Sequence, residues 1–502
     1  MIRRAGLLVH PTSLPGPYGI GDVGPAVREL LAWMDAAELR IWQTLPITPL
    51  DPFGSPYASD SSFAWEPLLL SVDDLVEDEW LLARERPFAP SRANRIDWAW
   101  VRREKAKALA LAAERVAAAE NLDAFGEANP ELREFALFRA LQREQQGAWF
   151  DWPEPLRERD PSALEEARGR LGAAVSRHLA LQWLLQVQWG RVREEARSRG
   201  IEIWGDVPFF VGHGSCDVWC APELWRLDAD RQPLAISGVP PDAFSTTGQL
   251  WGHPHYDEEA HREQGYAWWL SRFARCLEAF DRVRIDHFRG FAAVWELAAG
   301  AETAIDGTWV PGPGRPLLRA MKKRFPGMPF LAEDLGVITE EVANLREDYD
   351  LAGMTILQFA FGGDAAQPYL PHNHVRNRVV YTGTHDNDTT LGWYWGTSDH
   401  DRDHVRRYFA CADRDLPHAL TRAAWRSVAD TAILPLQDVL GLGSDGRLNK
   451  PGTTEGNWAW RAGLGAFSLA LARGVAEEVR ISGRAVPKRE PEPRASGPKS
   501  GP

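Results

Sequence analysis

Along the chain, short apolar runs alternate with longer stretches whose apolar residues recur at helical spacing. The runs that predict strands are 6–11 (GLLVHP), 39–47 (LRIWQTLPI), 201–211 (IEIWGDVPFFV), 282–288 (RVRIDHF), 329–334 (PFLAED), 353–361 (GMTILQFAF), 377–386 (NRVVYTGTHD) and 431–440 (TAILPLQDVL). Between them, 26–38, 178–200, 267–280, 317–325 and 339–348 carry amphipathic helix patterns, two of which close on basic residues followed by glycine (RSRG, RFPG). Eight strands alternating with helices predict an α/β fold of the (β/α)8 TIM barrel type. A doubly wound open sheet carries the same alternation, and pattern alone does not separate closed from open.

Two connections are too long for plain loops. Residues 50–177, which include the Ala-rich amphipathic stretch 101–120, separate the second and third strands, and residues 212–266 separate the third and fourth. Insertions of this size are expected to build subdomains or lids, largely helical, around the cleft. The expected organisation is one catalytic barrel over 1–486 carrying these two insertions. No strand-rich segment follows the eighth strand, so no C-terminal β-domain is expected. Residues 487–502 (PKREPEPRASGPKSGP) lack the apolar content to order themselves and are expected to be disordered.

Composition narrows the function. With 44% hydrophobic and 25% charged residues the 502-residue chain reads as a soluble globular protein, and no apolar run is long enough to span a membrane. A net charge of −13 with no dense basic run opposes a nucleic-acid partner. The N-terminal MIRRAGLLVHP is broken at His10 and Pro11 and reads as a first strand, not as a secretion signal. Four cysteines, only Cys216 and Cys220 being close together, form neither a disulfide framework nor a zinc site and suggest free thiols in the cytoplasm.

Acids end four of the strands: Asp206, Asp286, the pair Glu333 and Asp334, and Asp386. In a barrel these ends share the face where catalytic loops gather. A helix cap, a solvated charge or a structural ion pair between Arg284 and Asp286 would look the same at any one strand. Repetition on the third, fourth, fifth and seventh strands favours a site. Glu333 and Asp334 are adjacent in a strand pattern, so one of them should face away from the cleft. Paired carboxylates suit glycoside chemistry, in which one attacks the anomeric carbon as an anion and the other gives a proton to the leaving oxygen. Arg284, two residues before Asp286, would favour the anion there, whereas PFLAE offers a drier setting for an acid.

At these motifs the sequence resembles the 4-α-glucanotransferases, also called amylomaltases or disproportionating enzymes, which are related to the α-amylases. The resemblance runs from about residue 5 to 480 through HPTSLPGPYGIGD, SPY at 55–57, GVPPDAFSTTGQLWGHPHY at 238–256, RIDHFRG, LAEDLG, LQFAFGGD, YTGTHDNDT and LGLGSDGRLNKPGTTEGNWAWR. It implies that Asp286 is the nucleophile, Glu333 the general acid/base and Asp386 a third carboxylate that grips sugar hydroxyls. Arg284 would orient Asp286. Tyr57, Asp206 and His385 would line the subsite of the reacting glucose, and the stretch with Phe244, Gln249 and Trp251 would overhang the cleft. Two local stretches, Trp65-Glu66-Pro67 and residues 211–220, depart from the family's pattern.

The reaction so implied is retaining transfer of an α-1,4-glucan segment from maltooligosaccharide, amylose, starch or glycogen to the 4-hydroxyl of glucose or another glucan. No cofactor or metal is required, and His213 and His253 read as surface or cleft residues. Two alternatives stay open on the acids alone: an amylase-like hydrolase, and a glucan-binding protein without catalysis.

Overall fold

The computed structural model describes residues 3–88, 94–241, 245–453 and 455–486. All eight anticipated strands form: β1 (Arg4–Leu8), β2 (Ile41–Gln43), β3 (Glu202–Val207), β4 (Arg282–Ile285), β5 (Phe330–Ala332), β6 (Gly353–Ile356), β7 (Arg378–Tyr381) and β8 (Thr431–Pro435). They pair in parallel in the order β6-β7-β8-β1-β2-β3-β4-β5. A bridge between Leu331 and Ala352, with Ala332 N–H donating to the Ala352 carbonyl at 2.8 Å, brings β5 to the start of β6 and makes the sheet a barrel.

The strands are buried on both faces, as a helix-wrapped parallel sheet requires. Paired segments are shorter than the apolar runs in the sequence because those runs continue into the loops at the C-terminal ends. Gly205 marks the tightest packing of β3: a Cβ there would meet the Phe280 ring at 2.0 Å. Phe280 caps the helix Ala267–Ala279, which covers that part of the sheet.

The connection from β2 to β3 carries the helices Trp98–Ala119, Pro130–Gln145 and Pro161–Ser198. The last has 38 residues and starts well before the periodicity at 178, at a cap where Asp160 accepts from Ser162 and Ala163 N–H and Pro161 follows. From it Gln182 and Gln188 reach sideways and pair with the backbone of Trp65 and Ser71.

The expectation of largely helical insertions needs correction after β3. There a four-stranded antiparallel sheet stands beside the barrel, ordered Gln249–Pro254, Ala235–Val239, Ala293–Ala298, Thr308–Pro311. Its last two strands follow β4, so two barrel connections cooperate in one sheet. AVWELA is short and fits either periodicity, which is why pairing and not pattern decides it.

Past β8, among the described residues, the only strand pairing is an isolated bridge between Trp460 and Arg95, and the helix Leu469–Ile481 packs on Pro25–Ala36, where Trp33 meets Phe467 just before that helix. Arg484 then enters the base of the barrel, fully buried, and donates to the carbonyls of Arg4, Trp425, Ser427, Ala429 and Asp430. Residues 487–502, expected to be disordered, lie outside the described residues.

Candidate active site

The C-terminal ends of β3, β4 and β5 converge on one guanidinium. Asp206 of β3 pairs in register with Arg284 of β4, and Arg284 with Leu331 of β5. Arg284 points inward and its Nη1 donates to both oxygens of Asp206, at 3.0 and 2.7 Å, and to Oδ1 of Asp286 at 2.8 Å. Burial works against the charge on Arg284, but Asp206 and Asp286 outweigh it and hold the guanidinium protonated. Burial pushes Asp206 up while Arg284 pulls it down. The Tyr57 hydroxyl donates to Asp206 Oδ2 at 2.7 Å, and the Tyr57 ring stacks on His385 with centroids 5.1 Å apart.

Glu333 follows β5 directly and is half-buried. Its Oε2 accepts from the His287 N–H at 2.7 Å and Oε1 from the Leu335 N–H at 3.1 Å. Desolvation nevertheless dominates: the carboxyl is raised from 4.5 to about 8, with Arg284 opposing the shift and Asp286 adding to it. His287 makes its contact from a left-handed backbone, φ 49° and ψ 50°, a conformation uncommon for a residue with a Cβ. That twist turns its amide toward Glu333. Asp334 faces the other way, accepting from Met354 N–H at 2.7 Å and pairing with Arg346 and Arg378, so it buttresses the barrel.

Asp386 does not close a strand as the sequence suggested. β7 ends at Tyr381, and residues 382–386 fold into a turn in which Asn387 Oδ1 accepts from the Thr384 N–H and Oγ1 at 2.8 and 2.9 Å. Asp386 is held from outside the strand: Asn449 Nδ2 donates to its Oδ1 at 2.6 Å, Arg447 donates to its carbonyl at 2.7 Å, and His385 Nε2 lies 3.3 Å from the same Oδ1.

A cleft of about 350 Å³ is walled by Tyr57, Asp286, His385, Asp386, Trp251 and Trp458 among others; Asp206, Arg284 and Glu333 are not among the residues that line it, and Glu333 meets its wall through the His287 amide. Trp251, on the strand Gln249–Pro254, meets His287 edge-on at 4.8 Å. Phe244 lies outside the described residues. His253 also lines the cleft, stacked on Phe210, and burial lowers its imidazole to about 4. His213 lies elsewhere, stacked on Phe150 with its Nε2 2.7 Å from the Arg231 carbonyl.

Sequence reasoning missed Asn449, Asn457 and Trp458, which enter the cleft from the loop after β8, and Phe209 and Phe210, which follow β3. The loop motif was visible, but neither periodicity nor charge singles out a residue within it. Trp65 and Glu66 do not line the cleft. Glu66 accepts from Leu50 and Leu68 N–H, both at 2.8 Å, and Trp65 lies 4.2 Å under the Arg275 guanidinium. Among the described residues no cluster of three or more His, Cys, Asp or Glu is placed to hold a metal ion, and no helix is long and apolar enough to cross a membrane.

The same span is matched by known proteins. The 4-alpha-glucanotransferase from Thermus thermophilus is 43% identical over 484 residues, covering 93% of this chain and 96% of its own. The chloroplastic/amyloplastic 4-alpha-glucanotransferase of Solanum tuberosum is 44% identical over 478 residues, covering 91% and 82%. The structure of amylomaltase from Streptococcus agalactiae in complex with acarbose superposes with a TM-score of 0.92 at 32% identity, covering 96% of this chain and 99% of that one. A family model described as 4-alpha-glucanotransferase accounts for residues 9–465, a stretch that contains every strand end and loop of the cleft from Tyr57 to Trp458, and the chain therefore belongs to the 4-alpha-glucanotransferase family.

Proposed function

We propose that this chain cuts an α-1,4-glucan, holds the donor segment as an ester on Asp286, and passes it to the 4-hydroxyl of glucose or of another glucan. The observation that carries this reading is the division of labour around Arg284. Asp286 takes a hydrogen bond from a permanent cation, while Glu333 in the same cluster is pushed to about 8 and so keeps its proton near neutrality. One carboxylate is thus suited to attack the anomeric carbon, and the other to protonate the departing oxygen. In the second half Glu333 takes the proton of the incoming hydroxyl, the ester breaks, and two inversions leave the configuration retained.

Asp386, pinned by Asn449, would hold sugar hydroxyls, and Tyr57 would offer its ring to the reacting glucose. Asp206 and Tyr57 keep Arg284 in place. One continuous core joins the barrel to the helices before β3, which supports treating 1–486 as a single catalytic unit with insertions at 50–177 and 212–266. The four free cysteines support residence in a reducing compartment such as the cytoplasm.

Hydrolysis uses the same acids with water as acceptor, and the family relatives favour transfer. Incubation with maltotriose separates the two. Transfer gives glucose together with a ladder of longer oligomers; shortened products alone would overturn the proposal.

A further inference from the structure

Residues 211–220 end in a single helical turn, Cys216–Cys220, with Ser215 Oγ accepting from Val218 N–H at its start. A spacing of four puts both thiols on one side of the turn, and their sulfurs lie 3.5 Å apart. Cys216 is buried and Cys220 is partly open to solvent. The Arg159 guanidinium lies 3.6 Å from the Cys220 sulfur and 4.2 Å over the Trp219 ring. Arg159 is itself paired with Glu134 at 2.7 Å, and burial pushes the Cys216 thiol up, so exposure makes Cys220 the thiol that meets an oxidant first.

The turn also holds the loop that carries Tyr57 to the cleft. Cys216 N–H donates to the Asp60 carbonyl and Asp217 Oδ2 accepts from Ser62 N–H, both at 2.8 Å. Asp60 and Ser62 lie just beyond Tyr57 in the same loop. We propose that Cys216 and Cys220 are a reversible thiol–disulfide site that takes small-molecule disulfides as oxidant and acts through the Asp60–Ser62 loop on Tyr57.

The chemistry balances. Cys220 sulfur, giving up its proton to solvent, attacks one sulfur of the small disulfide and expels one thiol. Cys216 then gives up its proton and attacks the Cys220 sulfur of the mixed disulfide, expelling the second thiol. Two protein thiols and one small disulfide become one protein disulfide and two small thiols. Residues four apart on a helix have Cα atoms about 6 Å apart, inside the roughly 4.4–6.8 Å range that a disulfide spans. Their Cβ atoms are about 5–6 Å apart, beyond its roughly 3.5–4.5 Å, so closing the bond requires the end of the turn to shift. Cys220 is the last residue of its turn, and Ala221 has already left helical backbone at φ −145°, so the sulfurs can close without breaking a longer helix.

The link to Tyr57 rests on the glucan-transfer reading; the thiol site does not. The test is to incubate the full chain with glutathione disulfide, alkylate, map the peptides, and measure maltotriose disproportionation before and after dithiothreitol. A linked Cys216–Cys220 pair is expected, with Cys276 and Cys411 still alkylatable, and a several-fold rise in KM that dithiothreitol reverses. Cys220→Ser should keep the reduced enzyme's KM and lose the response. Free Cys216 and Cys220 after treatment, or a glutathione adduct that stays on Cys220, would overturn the site. A linked pair with unchanged KM would overturn its coupling to Tyr57. A protein that turns over no maltotriose would count against glucan transfer, while the peptide map would still decide the thiol site.

Discussion

Glu333 is the residue on which pH should act most directly. Its carboxyl is raised from 4.5 to about 8 by burial. Between those values the folded chain holds a proton there that the unfolded chain releases, so this group lowers stability as pH rises through that window. Glu333→Gln should remove that part of the pH dependence, seen by comparing thermal or urea unfolding of both proteins across the window. For catalysis the wild-type rate should fall above about pH 8 as the acid loses its proton. The Gln variant should lose roughly 10²–10⁴-fold in kcat on maltotriose and recover partly with a donor whose leaving group needs no protonation. Equal losses on both donors would argue against the acid role. Asp286→Asn keeps the shape but removes the attacking oxygen's charge, and its glucose release from maltotriose should drop by about 10³-fold or more. Parent-like release would refute the nucleophile. These acids were legible because a strand pattern fixes which neighbours share a face: Arg284 with Asp286, and Glu333 opposite Asp334. Asn449 and Trp458 were not, since an irregular loop gives its residues no periodic address and only the folded path brings them to Asp386 and Tyr57.

At the scale of elements, the turn after β4 sets Glu333 through backbone geometry. His287 sits at φ 49° and its amide, which lowers the Glu333 carboxyl against the desolvation that raises it, is aimed there by that twist. His287→Gly can keep the left-handed conformation and the amide contact. His287→Val strains the position by about 1–3 kcal/mol, and if the turn relaxes the contact is lost. The basic limb of the pH–rate profile should then move to higher pH for Val and stay in place for Gly; identical profiles would show that the amide is not tuning the acid. The strand starts and two helix ends, RSRG and RFPG, could be anticipated from residues, but the strand ends and the start of the helix at Pro161 could not. Apolar side chains run on past the last ladder bond into the loops, so Asp386 seemed to close a strand from which it is separated by a turn. The antiparallel sheet escaped for a related reason: its strands are short, split by β4, and defined by partners that are distant in sequence.

At the scale of the molecule, the barrel divides its two ends between activity and endurance. The alternation of strands and helices was legible, whereas closure was not, because it hangs on the contact of β5 with Ala352 at the start of β6 and not on any composition. Arg484 secures the end opposite the cleft. Among the described residues it makes no ion pair with a carboxylate, burial lowers it to about 9, and five backbone carbonyls, one at the start of β1 and four in the segment before β8, accept from it. Asp430 also accepts from the Arg4 N–H, and Trp425 and Ser427 from Arg3, so Arg484→Leu keeps apolar bulk but takes from the Arg4 and Ala429 carbonyls their side-chain donor, at a cost of about 1–3 kcal/mol. Since a chain of this size is prone to unfold irreversibly, the measurement is the half-life at elevated temperature, which should shorten markedly. At moderate temperature kcat/KM on maltotriose should match the parent, because strand positions at the base of a barrel hold it together while the opposite ends carry the chemistry. A variant as durable as the parent would show that the C-terminal segment merely rests on the barrel. One with lost kcat/KM but unchanged durability would show that the two ends are coupled through the strands.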